Sequence, residues 1–133
     1  VIVALLALIG IATLGGCSNS QGAANRQPHT GSTTAVAVNG IEDVKLTVDA
    51  GFRFTPSTIT VHPGKVRITL DHIATGAPHD WQLTGIPGDY IAPVSPGESA
   101  SVTFIAPSPG TYTFVCTIHE RQGQTGTMIV LGS

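Results

Sequence analysis

The sequence is poor in the features that mark most binding and catalytic classes. Charged residues fill only 11% of its 133 positions and the formal net charge is −2, so it offers no basic surface for nucleic acid or an anionic membrane. No helical period runs through it beyond the first residues, which argues against a bundle. The longest apolar run, Val1 to Leu14, falls short of the roughly 20 residues a membrane-spanning helix needs. Methionine occurs once and there is no Met-rich or His-rich tract, the composition a metal-trafficking tail would carry. Cysteine occurs twice, too rarely for a thiolate-rich zinc site.

The length suits one domain with a real core. Sixteen glycines and nine prolines, set among many Thr, Val and Ile, favour short strands joined by tight turns. The two cysteines stand in different settings. Cys17 closes the apolar run in Leu14-Gly15-Gly16-Cys17, which resembles the lipobox of bacterial lipoproteins, although no Lys or Arg precedes the run. That resemblance implies a signal segment over 1–16, lipidation at Cys17, and a protein held at the membrane through an N-terminal lipid anchor alone. It sets the two cysteines apart as unpaired. Residues 17–34 then read as the lipidated cysteine and a flexible tether of Ser, Asn, Gln, Gly, Thr and Ala, spanning about 25 Å. His29 falls in this tether and is expected to be solvated.

The domain is expected over 35–133. Val44 to Asp49 alternates apolar and polar residues, Phe52-Arg53-Phe54 continues the alternation up to Pro56, and Thr58 to Val61 and Val66 to Leu70 repeat it. His62-Pro63-Gly64-Lys65 reads as a turn, which puts His62 in solvent. Asp71 to Pro78 reads as a loop, with His72 expected on the surface ahead of two alternatives, bracing that loop or offering a second, weaker metal contact. His79 to Thr84, a short stretch near Tyr90-Ile91, Ser99 to Ala106, Thr111 to Cys116 and Thr127 to Leu131 supply the remaining strands. Seven or eight short strands with turns at regular spacing predict an all-β fold, an antiparallel Greek-key sandwich.

The chemistry gathers near the C-terminus. Two residues separate Cys116 from His119 and four more separate His119 from Gln124. With His79, in Ala77-Pro78-His79-Asp80-Trp81, these residues offer one thiolate, two imidazoles and a weak oxygen donor. That set suits copper. Zinc usually takes several strong ligands at paired spacings, and here one thiolate is on offer. A catalytic thiol would need an open approach and a base oriented by a third group. A buried apolar cysteine would not need a histidine so close behind it in a polar loop. Copper leads these alternatives.

The same residues resemble the cupredoxin family, and plastocyanin-like bacterial domains in particular, from about Val44 to Leu131. Three stretches carry the likeness: Phe54 to Val61, Gly76 to Asp80, and the Cys116 to Thr127 loop. The resemblance implies one copper ion held by His79, Cys116 and His119, with position 124 axial. Where most such domains have methionine this chain has Gln124, a residue that the stellacyanin-like branch also uses. Met128 lies about 13 Å farther along the last strand at 3.3 Å per residue and is expected in the core.

What the resemblance implies further is a one-electron carrier in the cell envelope, not an enzyme, working as a monomer with redox protein partners and no nucleic acid. A copper store, trafficking protein or sensor is the alternative. His119 would be the electron port, near the surface and rimmed by Gly76, Ala77, Pro78, Ile86 and Pro87. Asp80, where relatives often have asparagine, would hydrogen-bond across to the Cys116 loop.

Overall fold

The computed structural model describes residues 29–133. The expected signal segment 1–16, the lipidation site Cys17 and the tether up to residue 28 lie outside the described residues. The described residues form eleven strands: β1 Ser32–Thr34, β2 Ala37–Val38, β3 Ile41–Val48, β4 Phe54–Thr55, β5 Thr58–Val61, β6 Lys65–His72, β7 His79–Leu83, β8 Tyr90–Val94, β9 Ser99–Ile105, β10 Gly110–Val115 and β11 Thr125–Val130. A single 3-10 turn, Glu120–Gln122, interrupts them. No helix among the described residues is long and apolar enough to cross a membrane.

The strands form two sheets, β1-β5-β11-β10-β7-β8 and β2-β3-β6-β9 with β4 on the edge of β3. The expected all-β sandwich forms, but its pairing is mixed, because β1 with β5, β5 with β11 and β3 with β6 run parallel. Alternation sets which face is inside. Along β3 the side chains of Val44, Leu46 and Val48 are buried, while Asp43 and Lys45 face outward and pair with Arg67 and Asp71 of β6, at 2.6 Å for Lys45 Nζ to Asp71 Oδ2. Val66, Ile68 and Leu70 of β6 bury opposite them. Ile59, Val61, Met128 and Val130 fill the other sheet's inner face, each such burial contributing about 1.5–3 kcal/mol. Met128 pairs with Ile59 and Tyr112 in mid-sheet, the core role expected of it.

Aromatic rings close the centre. Phe114 meets Phe54 edge-on at 5.2 Å and Trp81 at 5.9 Å between centroids. Phe114 fits only because position 126 is glycine: a Cβ there would stand 2.1 Å from its Cζ and 2.8 Å from the Ser57 carbonyl oxygen.

Two readings change. Ser32–Thr34, read as the end of the tether, is a strand on the edge of β5. Thr30 N–H donates to Ser57 Oγ at 3.0 Å and Ala35 N–H to the Thr60 carbonyl at 2.8 Å. This strand has no apolar alternation; it forms because β5 otherwise leaves a row of backbone groups unpaired. His29, expected in solvent, is exposed yet bonds Thr58 Oγ1 through Nε2 at 3.1 Å. The second correction is His72, which continues the inward alternation of Val66, Ile68 and Leu70 at the end of β6 and is fully buried.

Candidate metal centre

Five strand ends meet at one end of the sandwich, where β3, β6 and β10 finish and β7 and β11 begin. β7 opens with His79, and β10 delivers Cys116 just beyond its last residue. The chain then closes a tight loop on itself. Cys116 N–H donates to the Gln124 carbonyl at 3.0 Å, Gln124 N–H to the His119 carbonyl at 3.2 Å, and His119 N–H to the Cys116 carbonyl at 3.1 Å. Gly123 ends the 3-10 turn in the left-handed region, φ 86°, with its N–H on the Glu120 carbonyl, a conformation that costs glycine nothing. Three candidate donors are thereby fixed by main-chain bonds.

The donor atoms converge. Nδ1 of His79 and Nδ1 of His119 lie 3.2 Å apart, and Cys116 Sγ lies 3.5 Å from His119 Nδ1 and 4.0 Å from His79 Nδ1. The point in their plane equidistant from all three is about 2.1 Å from each, within the range of metal–nitrogen and metal–sulfur bonds at protein sites, about 2.0–2.3 Å. Gln124 is fully buried, with Oε1 2.8 Å from His79 Nδ1 and Nε2 lacking any partner. Its side chain therefore faces the cluster instead of solvent. Among the described residues, this is the one group of three or more His, Cys, Asp or Glu arranged to hold a metal ion. One thiolate, two imidazoles and an amide oxygen around such a point fit a single copper ion.

Electrostatics agree with a ligand set. Burial pushes the His79 imidazole below its ordinary value, helped by the charges of His119 and His72 and opposed by its contact with Gln124. A neutral imidazole keeps the lone pair that a metal needs. Burial and the charge of Asp80 push the Cys116 thiol up, against hydrogen bonds that lower it. Without a cation beside it the thiolate is disfavoured, and a metal reverses that balance.

Around the donors stand the groups that aim them. Asp80, buried beside His79 on β7, accepts the Thr117 N–H on Oδ1 at 2.6 Å and the Thr117 hydroxyl on Oδ2. It ties β7 to the Cys116 loop as expected. His72 lies with its ring centroid 4.9 Å from that of His79 and donates Nε2–H to the Ala77 carbonyl at 2.9 Å. It is a brace for the loop before His79, not a surface imidazole. His62 is half exposed at the opposite end, bonded to Glu42 at 2.6 Å.

Of the expected rim, Gly76, Ala77 and Pro78 are exposed on the loop leading into His79. Ile86 and Pro87 are elsewhere. They follow the far end of β7, whose five residues carry the chain about 13–17 Å away from His79, and Ile86 packs against the core. His119, expected near the surface, is 6% exposed. Phe52, which the alternation of Phe52-Arg53-Phe54 assigns to a strand, lies over it with centroids 4.5 Å apart. Ile73 and Ile118, 64% and 46% exposed, stand at the same end. The exposed Ile after an inward-facing His72 was the available signal for the first of these.

Comparison with known proteins follows the same direction. A family model described as a cupredoxin-like domain matches residues 5–130. Auracyanin-B of Chloroflexus aurantiacus is 46% identical over 43 residues, 31% of this chain and 18% of the relative, so the match spans about a fifth of that protein. Reduced auracyanin from Roseiflexus castenholzii superposes with a TM-score of 0.60 at 21% identity, covering 68% of this chain and 97% of that one. The metal-binding domain of the Streptococcus pneumoniae D39 Cu(I)-exporting ATPase CopA, solved with Cu(I), gives a TM-score of 0.65 at 19% identity over 77% of this chain and 98% of that one.

Proposed function

The chain belongs to the cupredoxin-like family, and on that premise we propose that it is a one-electron carrier of the cell envelope, with His79, Cys116, His119 and Gln124 holding one copper ion. The observation that carries this reading is the convergence of two Nδ1 atoms and one Sγ on a point at bonding distance from all three. Copper bound there supplies a Cu(II)/Cu(I) couple that accepts or gives one electron.

The protein's own residues determine how readily that happens. His79 is anchored in a strand, and the Cys116 loop is closed by its backbone bonds. Asp80 ties the two together. Donors held this firmly rearrange little when the charge changes, which favours fast exchange with a partner. Gln124, buried with its amide oxygen beside His79, would offer a bound copper ion a weak oxygen donor, which would favour Cu(II) over Cu(I). Four inward donors also leave no open position for a substrate, so the reading is a carrier and not an enzyme.

Electrons would pass at the His119 end, where Gly76, Ala77, Pro78, Ile73 and Ile118 give an apolar surface with Glu120 and Arg121 beside it. A redox protein partner meeting that mixture would dock more weakly as salt rises. In this reading the chain works as a monomer, anchored through Cys17; the lipobox-like Leu14 to Cys17 supports the anchor, and fatty-acid labelling that persists in Cys17→Ser would count against it.

Copper loading decides between the carrier and its alternative. An intense visible thiolate-to-Cu(II) band with a reversible one-electron wave is expected. A colourless protein that takes up only Cu(I) would favour a store, trafficking protein or sensor, the reading to which the likeness with the Cu(I)-bound CopA domain lends support.

A further inference from the structure

We propose that Phe52 is a positioning residue of the metal centre: a strained turn holds its ring against the His119 imidazole, fixing the angle of that ring and keeping water from that side of the site. The inference rests on the copper reading and adds a group outside the donor set.

Phe52 sits in the left-handed region at φ 55°, where a bulky residue is a true outlier. Gly51, immediately before it, would take such a conformation without cost, yet the chain assigns it to the aromatic residue. Asp49 explains how. Its Oδ1 accepts the Gly51 N–H at 2.8 Å, its Oδ2 accepts from Arg53 Nη2 at 2.9 Å, and its carbonyl accepts the Phe52 N–H at 3.2 Å. This clamp closes directly over Gly51: a Cβ there would stand 3.1 Å from the Arg53 guanidinium and from Asp49 Oδ1. Glycine is used for close approach at 51, and the strained backbone falls at 52.

Strain of this kind persists only where the surroundings over-determine it. One side of Phe52 is the Asp49 clamp. The other is the site: its ring centroid lies 4.5 Å from that of His119, with planes at 37°, and 6.2 Å from that of His79, at 56°. These are distances at which aromatic rings attract and restrain each other. Thr117, Ile118 and Glu120 on either side of His119 are exposed, yet His119 is buried. An aromatic body lies where an imidazole in a surface loop would otherwise meet solvent.

Three variants of the full chain separate the ring from the turn. Phe52→Gly accepts the positive φ without strain and removes the ring, Phe52→Leu keeps apolar bulk, and Phe52→Tyr keeps the aromatic contact. In the metal-free protein the His119 ring protons should carry a ring-current shift that Phe52→Gly and Phe52→Leu lose and Phe52→Tyr retains. With Cu(II) bound, Phe52→Gly should relax water protons faster and hold copper roughly tenfold more weakly, its metal-free thermal unfolding remaining cooperative, while Phe52→Tyr matches the native protein. Should Phe52→Gly not fold, Phe52→Leu carries the comparison. Unchanged His119 proton shifts, or unchanged water relaxation and copper retention in the variant that lacks the ring, would overturn the proposal. A native chain that takes up no Cu(II) would instead overturn the copper reading, and the proton shifts would still decide whether Phe52 holds the imidazole.

Discussion

The two ends of the sandwich bury polar groups in opposite ways. At the far end Glu42 is buried, and its oxygens accept the His62 N–H at 2.8 Å and contact the His62 ring at 2.6 Å. Both oxygens of that carboxylate are engaged by His62. At the near end, two imidazoles, a thiol and an amide face one another, and both Gln124 Nε2 and His72 Nδ1 lie buried without a partner. Buried polar groups that satisfy each other are part of the fold. Buried polar groups that converge and remain unsatisfied are arranged for something from outside.

That contrast breaks most sharply at the sulfur. Cys116→Ser should abolish the visible copper band altogether while leaving the metal-free fold cooperative in a thermal scan; retention of the band would mean that the thiolate is not a ligand. Gly126→Ala should act on the fold, because the added carbon meets both the Phe114 ring and the Ser57 carbonyl. A loss of at least about 3 kcal/mol in denaturant titration is expected, since such overpacking into backbone allows little relaxation.

Glu42→Ala, at the satisfied end, should cost about 1–3 kcal/mol by leaving donors unpaired, yet shift neither band nor potential. A change in the copper spectrum would show that the two ends are coupled. Gln124→Met sharpens the other side: exchanging an amide oxygen for a thioether should raise the reduction potential with little change in stability, and a fall or no change in voltammetry would remove Gln124 from the ligand set.

The smallest effect is on pH. In the metal-free protein the folded state resists protonating His79, whose value is lowered from 6.5, so the unfolded chain binds more protons there and stability falls as pH drops below about 6.5. Folding also resists deprotonating Cys116, raised from 9.0, so the contribution of that thiol is lost as pH rises above about 9. Urea midpoints across that range should be highest in the middle, and copper loading should steepen the acid side, because the metal keeps its ligands unprotonated in the folded state.

The donor set is legible in the residues because three of its members are local: the spacing of Cys116, His119 and Gln124 survives any arrangement of the sheets. Asp80 is legible for the same reason, through its neighbour His79. What the residues conceal depends on direction and context. Ile86 and Pro87 look close to the ligands until the course of β7 is known. His72 looks like a loop residue because it is polar, although Val66, Ile68 and Leu70 set a period that carries it inward. Phe52 looks like one more beat of a strand, since nothing in Phe-Arg-Phe announces a left-handed backbone. The parallel pairings and the early strand Ser32–Thr34 are decided by which edges remain open, a property of the whole assembly.

The closed loop from Cys116 to Gln124 uncouples the candidate donors from the sheets that carry them. Its two ends are joined by a main-chain bond between those very residues, so the segment enters and leaves β10 and β11 at a fixed gap whatever lies between. Substitutions around the 3-10 turn can be absorbed there without disturbing the sheets, and three of the four candidate donors move together as one closed segment. The character of such a site could thus be altered through one short stretch of chain, with His79 on β7 as the fixed point.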